Sequence, residues 1–162
     1  MQNIAVLILA RPYLGDTIIY IPFFQNIRSQ YPQSKILVFS PYPIINVLKD
    51  LNLFDEVIIY DRKKSLQISK PLHDFKPNLI FNFRTNNLMI NLLCFSCRNT
   101  IKIGLTPNLL FRFFYHYQLK KDNNLYQAEF FLKMLENPLF KPHFGFKNIK
   151  NLASKELSIE VN

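Results

Sequence analysis

Short apolar runs of strand length recur along this chain, and each is followed by a break and then by apolar residues at helical spacing. The first, residues 4–9, is Ile-Ala-Val-Leu-Ile-Leu without interruption, as expected of a strand buried on both faces. Residues 11–15 break it. From Asp16 onward Ile19, Phe23, Ile27 and Tyr31 mark one helical face. Pro22 is expected to kink or tighten the start of that helix, and Tyr31-Pro32 to stop it. Further strands are predicted at residues 35–39, 56–60, 78–83 and 100–103, the last closed by Gly104. Helices are expected at 43–51, up to about Phe75, and at 87–97. Strands alternating with helices through short connections predict an α/β fold: a doubly wound, mainly parallel, Rossmann-like sheet.

The pattern weakens after Gly104. Residues 108–119 are aromatic and basic, and residues 124–136 read as an amphipathic helix. Residues 1–137 are therefore taken as the Rossmann-like domain and 138–162 as a basic linker or tail, with some periodicity only at 157–161. A chain of 162 residues fits one domain and can bury roughly 68–70% of its unfolded surface without disulfides or metal. Cys94 and Cys97 have the spacing of a redox pair, but the apolar run 89–95 around them reads as a buried helix face. Arg11 and Pro12 interrupt the first apolar run, so it does not read as a secretory signal. No run of about 18 apolar residues suggests a membrane span, and a reducing cytoplasm is the expected setting.

The formal charge of +9 is uneven. Residues 78–121 contain no Asp or Glu, yet hold Arg84, Arg98, Lys102, Arg112, Lys120 and Lys121. That stretch implies an anionic neighbour: nucleic acid, a phosphorylated glycolipid or an acidic membrane face. A genome rich in A and T would also inflate Lys, Asn, Ile and Phe and explain part of the bias. Around Arg112 the aromatics fit either a surface helix with one apolar side or an interfacial patch on lipid headgroups.

Ligands of an open parallel sheet bind at the carboxyl ends of its strands, so the exit of the first strand is the first place to look. Arg11, Tyr13, Gly15 and Asp16 cluster there. Gly15 leaves room for another group to approach the backbone. A carboxylate at a helix N-terminus is favoured by free N–H groups and the dipole, and an ionised Asp16 there suits a general base. On residue types alone, a helix N-cap is the better account of Asp16. Arg84 follows the fourth strand, with Thr85, Asn86 and Asn87 beside it; its guanidinium suits phosphate or carboxylate oxygens, or is simply solvated. With glycine only at 15, 104 and 145, neither a dinucleotide fingerprint nor a P-loop can be written. The three histidines lack metal-ligand spacing. No Asp-x-Asp pair or Gly-x-Ser-x-Gly elbow exists, and Cys94 lacks an obvious His partner.

Taken in order, Val6-Leu7-Ile8-Leu9-Ala10-Arg11-Pro12-Tyr13-Leu14-Gly15-Asp16, residues 21–32, residues 53–61, residues 77–86 and Ile101-Lys102-Ile103-Gly104-Leu105 resemble glycosyltransferase family 9, the bacterial heptosyltransferases of lipopolysaccharide core assembly. The likeness covers about residues 3 to 136. It implies the N-terminal half of a GT-B fold, in which two Rossmann-like domains face a cleft and no metal is required. It further implies that Asp16 is the base that deprotonates an acceptor hydroxyl for inverting attack on ADP-heptose, which shifts the weight from cap to base. Arg11, Tyr13, Gly15, Arg84, Thr85 and Asn86 are then the acceptor-binding candidates. The implied partner is a lipopolysaccharide core or lipid A acceptor, with possible peripheral contact at the inner face of the bacterial inner membrane. The first loop is one residue shorter than in many relatives, and Gln25 stands where the family often has Arg. Nothing in the chain resembles the family's C-terminal domain, which binds the nucleotide sugar; a separate chain is one possible source of it. Alternatives are a non-catalytic module for an anionic glycolipid or a partner protein, and a basic nucleic-acid binder, which only the charge supports.

Overall fold

The computed structural model describes residues 2–8, 12–84, 86–105, 109–119 and 126–136. Its centre is one six-stranded, fully parallel sheet of β1 (Asn3–Leu7), β2 (Lys35–Ser40), β3 (Glu56–Ile59), β4 (Leu79–Asn82), β5 (Ile101–Leu105) and β6 (Tyr117–Leu119). Their spatial order is β3-β2-β1-β4-β5-β6. Strand order reverses between β1 and β4, and the crevice outside the carboxyl ends of that pair is where such sheets bind ligands. The expected α/β, doubly wound Rossmann-like architecture is present.

Alternating side chains explain why both faces are covered. On one face Ile4, Val6, Ile36, Val38 and Phe81 are buried; on the other Ala5, Leu7, Leu37, Phe39 and Ile80 are. The first face packs against α2 (Ile21–Gln30), whose Phe23, Phe24 and Ile27 are buried, and α5 (Gln127–Lys133), which contributes Phe130 and Phe131. Tyr20 stacks on Phe131 at 4.5 Å and meets Phe83 edge-on at 5.2 Å. The second face packs against α3 (Ser69–Phe75) and α4 (Leu88–Ser96) through Leu72, Ile90, Leu93 and Cys94.

Four local expectations change. The single helix from Asp16 is two pieces, α1 (Leu14–Ile18) and α2, parted at Ile19-Tyr20. Pro22 lacks an N–H to continue the ladder and sits in the first turn of α2, where none is needed. Residues Pro43–Leu51 wind as a 3₁₀ helix that ends at Asn52, with φ 53° in the left-handed region. Gly104 does not close β5; it lies inside it, paired with Asn82 and Gln118, where a Cβ would meet Tyr115 Cε1 at 2.5 Å. Within residues 108–119 stand a 3₁₀ segment (Leu109–Phe114) and β6, so Tyr115 is core rather than surface. The expected tail at 138–162, its periodicity at 157–161 and the start of the 124–136 helix lie outside the described residues.

Candidate functional site

The carboxyl edge at the β1/β4 switch point is assembled from two chain segments. Beyond β1, Tyr13 is the extended N-cap of α1 (φ −113°, ψ 140°). Buried Thr17 holds this turn, donating from Oγ1 to the Tyr13 carbonyl at 3.3 Å. Asp16 is half-buried in the first turn of α1. It is not the N-cap, since Tyr13 is, and no hydrogen bond or ion pair joins its carboxylate to any described residue. Its carboxylate stands in the field of the α1 N-terminus without a cap bond of its own. Gly15 is exposed, has no positive φ, and a Cβ built on it meets nothing within 4 Å. The fold does not demand glycine there; the space it leaves is open. Arg11 lies outside the described residues.

The second segment follows β4. Asn82 Oδ1 accepts from the Arg84 backbone N–H at 2.7 Å, and the Arg84 carbonyl accepts from the Asn87 N–H at 3.1 Å. This tight turn leads into α4, which Asn87 caps by accepting from the Ile90 N–H at 3.1 Å. The Asn87 amide also donates to Ser65 Oγ at 3.2 Å. Arg84 is 6% exposed and its guanidinium donates to the Tyr60 hydroxyl, with Cζ 5.6 Å from the Tyr60 ring centroid. No carboxylate pairs with it among the described residues; the two ion pairs there are Arg28–Asp55 and Lys35–Glu56. A buried guanidinium is costly unless an anion or several acceptors answer it. One phenol oxygen and a ring face answer part of that demand, and a ligand anion would answer the rest.

Tyr60, at the exit of β3, is buried, and burial raises its pKa above the ordinary phenol value even though Arg84 and Arg62 pull it down. Arg62 in turn donates to the Tyr42 hydroxyl at 3.1 Å. The Arg84 side therefore carries Asn87, which the sequence places beside it, together with Tyr60, Arg62 and Ser65, which were not singled out from sequence as site residues. The signal available was the hydroxyl-bearing end of the third strand, Tyr60, directly before a basic turn. Beneath Arg84 lies a buried polar layer: Asn82 donates to Asn91 Oδ1 at 3.3 Å and to the Tyr115 hydroxyl, which donates to Asn91 Oδ1. It rigidifies the end of β4.

Asp16 and Arg84 thus leave adjacent strands at one edge. Phe83 packs with Tyr20 and Phe131 on the α2 face, so Arg84, one residue on, turns to the α3/α4 face and toward Tyr60. No hydrogen bond or ion pair joins Asp16 to Arg84. Asn86 is exposed in the turn between Arg84 and α4, and Thr85 lies outside the described residues. Among the described residues no group of three metal-ligating side chains occurs, and no helix is long and apolar enough to cross a membrane.

No protein-family model and no curated protein sequence matches the chain. Solved structures do. A glycosyl transferase family 9 protein from Veillonella parvula superimposes with TM-score 0.68 at 23% identity, over 83% of this chain and 40% of that one. The E. coli ADP-heptose lps heptosyltransferase II gives TM-score 0.62 at 14% identity, over 99% and 52%. E. coli heptosyltransferase WaaC with ADP gives 0.60 at 11%, over 86% and 48%. At these identities the likeness is one of fold. The chain has the α/β fold of these GT-B glycosyltransferases and spans about half the length of each.

Proposed function

We propose that this chain is the acceptor-binding half of a heptosyltransferase-like glycosyltransferase, acting with a nucleotide-binding half that lies outside these 162 residues. What carries the reading is Arg84: a buried guanidinium with no carboxylate partner among the described residues, at the end of the strand next to the one whose exit turn bears Asp16. An acidic sugar acceptor, such as a lipopolysaccharide core with its carboxylates and phosphates, supplies the missing anion. Arg11, Tyr13, Thr85 and Asn86 would line its approach, and the open space at Gly15 would admit it beside Asp16.

In this reading Asp16 takes the proton from an acceptor hydroxyl. That oxygen then bonds to the anomeric carbon of a nucleotide sugar such as ADP-heptose. The carbon–oxygen bond to the diphosphate breaks, its electron pair leaves on the phosphate oxygen, and the anomeric configuration inverts. The half described here needs no metal or cofactor for these steps. A lipid-linked acceptor would bring the protein to the membrane surface at the cytoplasmic side.

The test is a transfer assay with ADP-heptose and a deep-rough core acceptor, using the chain together with the protein that supplies its nucleotide-binding half. Asp16→Asn should lower turnover about 10²–10⁴-fold with its melting temperature unchanged. Arg84→Met should raise the acceptor KM. Transfer at the normal rate by Asp16→Asn would remove the base assignment.

A further inference from the structure

The turn that carries Arg84 begins on a side chain. Asn82 ends β4, is fully buried, and pairs in register with Leu7 and Gly104. Its Oδ1 accepts from the Arg84 backbone N–H at 2.7 Å, a local bond that stands in for a backbone turn. A carboxamide has two unlike ends, and turning this one over would set its NH₂ against the Arg84 N–H, donor to donor. The far end decides the orientation. Asn82 Nδ2 donates to Asn91 Oδ1 at 3.3 Å and to the Tyr115 hydroxyl. That hydroxyl gives its one proton to Asn91 Oδ1, so toward Asn82 it offers only an acceptor. Burial raises the Tyr115 pKa well above the ordinary phenol value, which keeps that proton in place. All three side chains are buried, where an unmet amide or hydroxyl is costly.

Tyr115 comes from far along the chain, past β5 and the 3₁₀ segment and shortly before β6. Its ring lies over Gly104, the residue paired with Asn82. Ring atoms Cε1, Cδ1 and Cζ stand 2.5, 2.6 and 2.9 Å from where a Cβ would be. The bare strand position admits the ring, and the ring brings its hydroxyl to the Asn82 amide. We infer that Tyr115 is a positioning residue for the Arg84 guanidinium, acting through the Asn82 amide. The segment after β5 thereby completes the anion site at the β1/β4 edge. Arg84 reaches from the end of β4 to Tyr60 at the exit of β3, so a small rotation of its backbone carries the guanidinium off the Tyr60 hydroxyl. The inference rests on the proposed reading of Arg84 as the anion's partner.

Inorganic phosphate is the probe, its binding followed by calorimetric titration at constant ionic strength. Tyr115→Phe keeps the ring over Gly104 and removes only the hydroxyl. It should weaken phosphate binding about three- to tenfold. Asn82→Ala, which removes the amide itself, should weaken it at least as much, with both variants still unfolding cooperatively in urea. Ile27→Val, a core truncation on the α2 face of the sheet, should bind phosphate as wild type does, which separates positioning from a general loss of stability. In the complemented transfer assay, Tyr115→Phe should raise the acceptor KM more than it lowers kcat. Phosphate binding that Arg84→Met abolishes but Tyr115→Phe leaves at full strength overturns this inference alone. Equal binding by wild type and Arg84→Met removes the reading of Arg84, and this inference with it.

Discussion

The Arg84 guanidinium and the Tyr60 hydroxyl meet although their strands are not neighbours. Tyr60 leaves β3 and Arg84 leaves β4, with β2 and β1 between them, a span of roughly 14 Å at the usual strand spacing. Two long side chains therefore lie across the carboxyl ends of the central strands, on the α3/α4 side.

A buried cation with no carboxylate partner among the described residues should reveal itself through anion-dependent stability. Inorganic phosphate or citrate should raise the melting temperature of the wild type, through binding to the native state, and should leave Arg84→Met unmoved. Without ligand, Arg84→Met should be as stable as wild type or more so, because an apolar chain of similar length replaces a charge with no counter-ion among the described residues. An equal phosphate response in both proteins, read by differential scanning fluorimetry at constant ionic strength, would rule out Arg84 as the anion's partner.

Gly15→Ala should move stability and function in opposite directions. The new methyl meets nothing within 4 Å and the backbone has no positive φ, so the helical position gains about 0.4–1 kcal/mol from reduced unfolded-state freedom. If the open space is where acceptor approaches, the same methyl should weaken acceptor binding. Denaturant melts and acceptor titration on one preparation give both signs.

Gly104→Ala should be destabilising by about 1–3 kcal/mol. Its methyl would overlap the Tyr115 ring, with Cε1 and Cδ1 at 2.5 and 2.6 Å, and so dislodge the hydroxyl from Asn82 and Asn91. Tyr115→Ser removes that ring, so the double variant should lose less than the sum of the two singles. Additive losses in urea unfolding would mean that the ring is not the obstacle.

Alkaline pH should destabilise the fold partly through Cys94. Its thiol is fully buried, and burial, followed by the neighbouring Cys97, pushes its pKa far above the ordinary value near 9. Above that value the unfolded chain has lost the proton that the native state keeps. Stability therefore falls as pH rises, by up to about 1.4 kcal/mol per pH unit for this one group. Lys102, its ammonium disfavoured by burial, has a lowered pKa and the opposite effect, present in both proteins compared. Cys94→Ala should lose stability at pH 8 from the cavity, yet show a shallower decline between about pH 9 and 10. Parallel curves would show that the thiol is not the group responsible.

Five of the six strands were legible because each is a short apolar run bounded by breakers, and β1, β2 and β4 are buried on both faces. β6 was not legible. Its Tyr-Gln-Leu is three half-buried residues without an apolar pattern, and its place comes from pairing with β5. Asp16 was legible as a helix-start residue, but not as one free of capping duty, since that depends on Tyr13 taking the cap.

The alternation of runs, breaks and helical faces determined by itself that this chain forms a doubly wound parallel sheet with its candidate ligand edge at the exit of β1. Those signals are local, written within about ten residues. Only the tertiary structure decided that Arg84 is buried against Tyr60, that Gly104 belongs to a strand and leaves room there for the Tyr115 ring, and that α4 shows an apolar face outward. Each of these depends on which strand lies next to which and on what covers a face, and residues 11 to 24 positions apart in sequence meet only when the sheet assembles.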